Sequence, residues 1–179
     1  MARCVFSDAK SASRMDKMVD ISKIKGQSIL VDGYNVLITS ESICRKEYNS
    51  LIACDDGVIR DLNAVFGKYR INETTEIALN NILNSIKKYK PFKIKFFLDR
   101  QVSFSGKLAN LTEEIIGYIG VRGEVFLSKN VDFEIIKTAN AENGIVATSD
   151  GVIIDKVDRI VDLPFYFLKK LRIGVKNFL

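Results

Sequence analysis

A repeated alternation between short apolar runs and longer helical patterns constrains the fold of this chain most. Five runs have the length and β-rich composition of buried strands: SILVD (28–32), FKIKFFLD (92–99), GEVFLS (123–128), IVATSD (145–150) and RIVDL (159–163). Alternating strands and helices with short connections predict a parallel sheet covered by helices on both faces. The predicted fold class is therefore α/β, with a three-layer, Rossmann-like parallel sheet.

Helical periodicity fills most of the intervals between these runs. The predicted helices cover residues 1–20, 58–66, 72–90 and 106–119, the stretch between Asn130 and Gly144, and the tail from Pro164. Asn72 is a good N-cap for the clearest of them, and Pro91 ends it. Residues 21–26 are interpreted as a short linker, and residues 33–57 have no clear pattern.

The first predicted helix is short and basic. Its basic residues fall at helical spacing on one face: Arg3, Lys10, Arg14 and Lys17. That face either meets phosphate groups or is simply solvated, and solvation is the more common explanation. The predicted domain organisation is an N-terminal helical segment, residues 1–25, followed by one domain, residues 26–179.

Composition excludes several classes of enzyme. The 179 residues include no histidine, which rules out Ser-His-Asp and Cys-His nucleophile systems and His-ligated zinc. A net charge of +5 mildly favours a polyanionic partner such as nucleic acid. The sequence has no G-x-x-x-x-G-K-[ST] or G-x-G-x-x-G motif, so we expect no nucleotide cofactor.

The cysteines and the apolar runs indicate the cellular compartment that we expect for this protein. Three cysteines, an odd number without metal-ligand spacing, predict reduced thiols in a cytoplasmic protein. The apolar runs are too short to span a bilayer, and the polar N-terminus does not resemble a secretory signal, so no membrane association is expected.

Aspartates follow three of the predicted strands. Asp32, Asp99 and Asp150 would meet at one edge of a parallel sheet, where such sheets bind ligands. Asp132 would lie in the first turn of a helix at that edge, and Asp155 in the loop before the fifth strand. Each aspartate alone is more often a turn residue. Together they would repel one another unless a cation compensates, and oxygen ligands favour Mg²⁺ or Mn²⁺. The pattern is coherent with a metal-dependent phosphodiesterase.

Several segments resemble a known group of nucleases. ILVDGYNVL, FFLDR, VDFEI and VATSDGVIID resemble, in that order, the acidic motifs of the PIN-like nuclease superfamily, particularly its NYN branch. DDGVIRDLNAVFGKYR and LDRQVSFSGKLA further resemble the prokaryotic domain-of-unknown-function 434 family with its PIN-like C-terminal portion. Residues 3–25 resemble only the end of that family's helical N-terminal region, which suggests a late start.

The resemblance implies a PIN-like domain that cleaves RNA at a Mg²⁺ or Mn²⁺ site. The implied ligands are Asp32, Asp99, Asp132 and Asp150, with Asp155 as a weaker candidate because the spacing before the fifth strand varies. Asn35, Thr148 and Ser149 would be polar supports near the substrate phosphate. One departure is Phe133, which stands where many relatives place a second acid.

Basic residues outside the acidic motifs have two interpretations each. Arg60 and Arg70 either face substrate phosphate or belong to a structural ion-pair network. Lys107 either meets a phosphate at a helix N-terminus or belongs to a helix cap. Arg100, directly after the second strand, is a further candidate for substrate binding.

The first functional hypothesis is a metal-dependent endoribonuclease whose partner is RNA. The alternative from another class is a catalytically inactive RNA-binding module. A toxin of a toxin–antitoxin pair ranks lower, because the segment DDGVIRDLNAVFGKYR makes the domain larger than compact toxins. A homodimer is compatible with each of these hypotheses.

Overall fold

A computed structural model of the protein describes residues 4–63, 69–174 and 176–177. Within these residues the helices are α1 (Asp8–Met15), α2 (Gly33–Cys44), α3 (Glu73–Lys87), α4 (Ser105–Ile119), α5 (Val131–Glu142), α6 (Gly151–Lys156) and α7 (Leu163–Leu171), with 3₁₀ turns at Ile21–Ile24 and Tyr48–Ser50. The strands are β1 (Ser28–Asp32), β2 (Leu51–Ala53), β3 (Ile59–Asp61), β4 (Lys93–Asp99), β5 (Gly123–Ser128), β6 (Ile145–Ala147), β7 (Ile160–Val161) and β8 (Lys176–Asn177).

The five predicted strands form one parallel sheet. Its order is β5-β4-β1-β6-β7, and every neighbouring pair is parallel. From β1 the chain first adds β4 and β5 on one side, then crosses to add β6 and β7 on the other. The strand order therefore reverses between β1 and β6, which is where open α/β sheets form a ligand-binding crevice.

Helices cover both faces of this sheet, and the side chains of β1 point alternately to one face and the other. Ile29 and Val31 point into a core built with α2, α3, α4 and α7. Leu30, between them, points to the opposite face and packs with residues of α5 and α6. Successive side chains of a strand face opposite sides, so a strand buried on both faces is apolar throughout. The result is a mixed α/β protein, consistent with a three-layer, Rossmann-like fold.

The helix predicted after Asn72 is confirmed as α3. The Asn72 side chain accepts a hydrogen bond from the Thr74 amide at 2.9 Å, and the Thr75 hydroxyl accepts one from the Asn72 amide at 3.1 Å. This reciprocal cap satisfies amides that have no partner within the helix. The helix ends at Lys87, before the predicted limit near Pro91.

The helix predicted over residues 58–66 is wrong where the structure describes it. Ile59–Asp61 is strand β3, which pairs antiparallel with β2, and β8 joins β2 in parallel. Residues 64–66 lie outside the described part. The error arose because a three-residue strand carries little periodicity of its own, and here part of its sheet comes from the far end of the chain.

The N-terminal segment is tied to the sheet more closely than a solvated helix would be. The helix covers Asp8–Met15 rather than 1–20, and Arg14 is only 3% exposed. The Val19 amide donates to the Ile160 carbonyl at 2.8 Å, which attaches the following chain to β7. Arg3 lies outside the described residues, and the domain boundary at residue 25 stays a prediction.

The predicted reduced state of all cysteines is wrong for two of them. Cys4 and Cys54 form a disulfide that joins the N-terminal segment to the chain after β2, and Cys44 is a free, half-buried thiol. The pairing is invisible to local spacing because 50 residues separate the two cysteines.

In the part of the chain that the structure describes, no helix combines the length and the apolar character needed to cross a membrane.

Candidate active site

Asp32 lies at the point where the strand order reverses. It ends β1 and is only 4% exposed. Its Oδ2 accepts hydrogen bonds from Thr148 Oγ1 at 2.7 Å and from Asn35 Nδ2 at 2.6 Å. Thr148 directly follows β6, the strand beside β1, so the sheet itself brings these side chains together.

Burial raises the pKa of Asp32 to about 7. The hydrogen bonds from Thr148 and Asn35 favour the charged form, but they do not outweigh the loss of solvent. The nearby charges of Asp150 and Asp132 raise the pKa further. A carboxyl group with this pKa can exchange a proton at neutral pH.

Asp150 is the N-cap residue of α6, two positions after Thr148. Its Oδ1 accepts a hydrogen bond from the Val152 amide at 2.6 Å, which caps α6. Its own amide donates to Thr148 Oγ1 at 3.0 Å. The Thr148 hydroxyl group therefore contacts both aspartates. It donates a hydrogen bond to the Asp32 carboxylate and accepts one from the Asp150 amide.

Asp99 and Asp132 line one pocket at the same edge of the sheet. The pocket has a volume of about 540 Å³ and is lined by Asp99, Lys129, Asn130, Val131, Asp132 and Phe133. Although solvent reaches Asp132, partial burial and then the charges of Asp150 and Asp99 raise its pKa. Asp132 is thus close enough to Asp150 and Asp99 to feel their charges, and Asp32 feels those of Asp150 and Asp132. That the four aspartates form one metal site stays a prediction.

A buried hydroxyl lies beside Asp99. Tyr34 is 5% exposed, and its OH has no hydrogen-bond partner among the described residues. Burial, followed by the charge of Asp99, raises its pKa to about 12. The Tyr34 ring packs edge-on against Tyr69 with centroids 5.2 Å apart, which fixes its position.

A buried carboxylate near the crevice binds two arginines. Asp56 has no exposed surface, and its oxygens accept from Arg60 at 2.6 and 2.7 Å and from Arg14 at 2.9 Å. Burial alone would raise the pKa of Asp56, but the hydrogen bonds and charges of the two arginines lower it. The structure thus shows Arg60 in an ion-pair network, with its side chain turned inward.

The same two arginines hold the backbone on either side of Asp150. Arg60 Nε donates to the Ser149 carbonyl at 2.9 Å, and Arg14 Nη2 donates to the Gly151 carbonyl at 3.1 Å. We call Arg14, Asp56 and Arg60 the arginine clamp. A Cβ atom at position 151 would lie 2.5 Å from Arg14 Nη2, so a larger residue there would displace the Arg14 head group from this contact.

The structure does not bring Asp155 to the other aspartates. It lies within α6 rather than in a loop, and its carboxylate accepts from Arg14 at 2.7 and 3.0 Å and pairs with Lys10 at 3.2 Å. The Arg14 hydrogen bond outweighs partial burial and lowers the pKa of Asp155. Its two partners come from the predicted basic helix face, part of which therefore meets α6.

The remaining predicted residues divide into two groups. Ser149 Oγ lies 3.5 Å from Asn35 Oδ1, so both belong to the crevice around Asp32. Arg70, Arg100 and Lys107 are exposed. The N-cap of α4 is Phe104, in the left-handed conformation, and it makes no side-chain capping bond, so the Lys107 segment is not an ordinary side-chain cap.

The sequence alone did not reveal Lys129, Asn130, Arg14 or Asp56 as neighbours of the site. Lys129 and Asn130 precede α5 and differ little from ordinary loop residues. Arg14 and Asp56 are 42 residues apart, so no local spacing connects them. Phe133 was visible only as an unusual residue beside Asp132.

The fold and the site define a mixed α/β protein with a parallel sheet and an acidic crevice at its carboxyl edge. The chain belongs to the family described as Domain of unknown function (DUF5616), whose model matches residues 21–166. It is also 39% identical over 173 residues to the uncharacterized protein MJ0935 of Methanocaldococcus jannaschii, covering 94% of this chain and 79% of the relative.

These matches correct the family assignment made from short motifs. The predicted membership of the PIN-like superfamily, its NYN branch and the domain-of-unknown-function 434 family is wrong, because the family model that matches most of the chain is a different one. The motifs behind that assignment are strand ends followed by Asp and a helix. Many Rossmann-like folds share that pattern.

Proposed function

We propose that this protein is a metal-dependent phosphodiesterase that cleaves RNA at the acidic crevice. The observation that carries the proposal is the buried carboxyl group of Asp32, placed between β1 and β6 and repelled by Asp150 and Asp132. Natural folds rarely gather several carboxylates in one crevice without a compensating partner.

The donor chemistry of the crevice suits a hard divalent cation. The residues that would hold Mg²⁺ or Mn²⁺ are Asp32, Asp99, Asp132 and Asp150, and all supply oxygen. The unpartnered Tyr34 hydroxyl adds an unused oxygen beside Asp99. No three acidic, cysteine or histidine side chains of the described residues already stand in a metal-binding arrangement, so the support comes from donor type and charge.

A bound cation would offset the repulsion among these carboxylates and polarise a phosphate oxygen. The chain's own residues supply the rest of the chemistry. Thr148 and Asn35 hold the Asp32 carboxyl group in one orientation, and both hydrogen bonds favour its charged form, which is the form that a cation would bind. Arg100 and Lys107 are exposed, and in this proposal they contact substrate phosphates.

The same proposal includes a partner, a location and an oligomeric state. RNA suits a chain with a net charge of +5, and the missing phosphate-binding loops argue against a nucleotide cofactor. A cytoplasmic location would give access to RNA. A homodimer stays a prediction.

The test is cleavage of labelled RNA in Mn²⁺ or Mg²⁺ by the wild type and by Asp32→Asn. We expect wild-type cleavage that EDTA abolishes, and a loss of at least about 100-fold in Asp32→Asn, because that variant removes a charge and a proposed ligand of the cation. The matched control is Asp158→Asn, which removes an exposed carboxylate before β7, at the opposite edge of the sheet.

Equal cleavage by the wild type and Asp32→Asn would contradict the proposal. RNA binding that survives EDTA, with no cleavage by any form of the protein, would favour the RNA-binding module instead.

A further inference from the structure

An exposed aromatic ring shares the pocket with two of the aspartates. Phe133 lies in the first turn of α5, next to Asp132, and is 61% exposed. The pocket of about 540 Å³ that it lines also contains Asp99 and Lys129. Sites that bind one small organic group commonly have volumes of roughly 300–1,000 Å³.

A single exposed apolar side chain would need no explanation in itself. Phe133 differs because cations flank it as well as carboxylates. Lys129 lies in the same pocket, and Lys137 Nζ is 6.0 Å from the centre of the Phe133 ring. An aromatic face with lysines beside it is the combination that binds an unpaired base together with its phosphate.

A second exposed ring follows β4 at the same edge of the sheet. Phe104 is 60% exposed, and Lys107 Nζ is 5.2 Å from the centre of its ring. Its backbone is left-handed, with φ of 63°, a conformation that bulky residues rarely adopt because the side chain crowds the carbonyl oxygen. The fold therefore accepts local strain while this ring stays in solvent.

We propose that Phe133 and its pocket bind an unpaired base of single-stranded nucleic acid, and that Phe104 stacks on a second base. This inference rests on the proposed function and specifies its substrate class. Lys129 and Lys107 contact the phosphates beside these bases. A duplex binds more weakly because its bases are already stacked on one another and offer no free face to either ring.

The experiment uses a single-stranded oligoribonucleotide that contains 2-aminopurine, whose fluorescence falls when the base stacks. Cleavage is prevented in two ways, by EDTA and by an Asp32→Asn background in Mn²⁺. The variants are Phe133→Ala, Phe133→Tyr and Phe92→Ala. Phe92 is the matched control, since it is 55% exposed beside Arg122 but precedes β4, at the opposite edge of the sheet.

Protein that retains Phe133 should quench the 2-aminopurine fluorescence of single-stranded RNA and should not quench that of the duplex. Phe133→Ala should bind single-stranded RNA roughly ten-fold more weakly and lose the quenching, because one base loses its stacking partner. Phe133→Tyr should keep both properties, and Phe92→Ala should behave as the parent protein. Since Phe133 is largely exposed, its truncation should leave the circular dichroism spectrum unchanged.

Undiminished affinity and quenching in Phe133→Ala would overturn the inference, and so would equal affinity for an abasic oligonucleotide of the same length. Metal-dependent cleavage of the abasic oligonucleotide tests the proposed function separately. If the wild type cleaves it while Phe133→Ala still binds RNA normally, the phosphodiesterase stands and the stacking site does not. If stacking is observed and nothing is cleaved, the stacking site stands and the phosphodiesterase does not.

Discussion

Asp32 is the residue on which the candidate site depends. Two hydrogen bonds hold its carboxyl group, yet burial and two neighbouring aspartates keep its pKa near 7. At neutral pH burial disfavours the charged form of this carboxyl group. An aspartate at this position therefore lowers the stability of the folded protein. Costs of this kind are typical of functional carboxyl groups.

Replacing Asp32 with asparagine should therefore stabilise the metal-free protein at high pH. The folded state keeps its proton up to about pH 7, whereas an unfolded aspartate loses it near pH 4, so the free energy of unfolding falls as the pH rises between these values. Asp32→Asn has no such loss. We expect it to be about 1–3 kcal/mol more stable than the wild type at pH 8 and nearly equal at pH 4.

Urea unfolding in EDTA at both values of pH measures this difference, with Asp158→Asn as the control. A difference between wild type and Asp32→Asn that is the same at pH 4 and pH 8 would contradict the raised pKa.

The neighbouring glycine has a packing role. A side chain at Gly33 would meet Leu98 Cδ2 at 2.5 Å and the Phe97 carbonyl at 2.8 Å. The start of α2 therefore approaches β4 too closely for any other residue. The sequence pattern Asp-Gly indicates a turn, but the structural reason for glycine here is contact between two elements distant in the chain.

At the scale of elements, the arginine clamp joins the N-terminal helix and β3 to the loop that carries Asp150. Asp56 binds Arg14 of α1 and Arg60 of β3, which hold the carbonyls on either side of Asp150. The position of Asp150 therefore depends on elements that contribute no carboxylate to the crevice.

Replacing Asp56 with asparagine should loosen this loop. Breaking a buried ion pair from one side leaves an uncompensated charge, which typically costs about 3–5 kcal/mol of stability. We expect a loss of this size by urea unfolding, together with faster hydrogen exchange of the Asp150 and Val152 amides, which are hydrogen-bonded in the loop.

The control is Asp16→Asn, which removes an exposed carboxylate at the end of α1. Slow exchange at Asp150 and Val152 in a destabilised but folded Asp56→Asn would show that the clamp supports the fold without positioning the loop.

At the scale of the whole molecule, the N-terminal segment is held by widely separated contacts. The disulfide between Cys4 and Cys54 closes a loop with a separation of 50 residues, and the chain after α1 pairs with β7. The three-stranded sheet likewise combines β2 and β3 with β8 from the end of the described chain. The first and last described segments are thus both attached to the middle of the chain.

Removing the disulfide should destabilise the whole protein. Constraining a loop of this length in the unfolded chain is worth roughly 4 kcal/mol in the chain-entropy model. We expect Cys4→Ser to lose up to about this amount by urea unfolding. Dithiothreitol should destabilise the wild type similarly and leave Cys4→Ser unaffected.

Cys44→Ser is the control, since this cysteine is free. Titration of the unreduced, unfolded protein should find one thiol, and three thiols would exclude the disulfide.

The sequence by itself determined the parallel sheet, helices α3, α4, α5 and α7, and the aspartates that end or follow three of the strands. These follow from local signals, because apolar periodicity, caps and strand ends are properties of neighbouring residues. The same locality explains the wrong family assignment, since a strand followed by Asp-Gly and a helix is shared by unrelated Rossmann-like proteins.

Only the tertiary structure decided which charged residues meet. Arg14 binds Asp155, which is 141 residues away in the sequence, and Cys4 forms a disulfide with Cys54, which is 50 residues away. These pairs depend on how the helices and the second sheet pack around the parallel sheet, and no short-range pattern records that packing. The burial that raises the pKa of Asp32 has the same origin, because it is the surrounding fold that removes water from the carboxyl group.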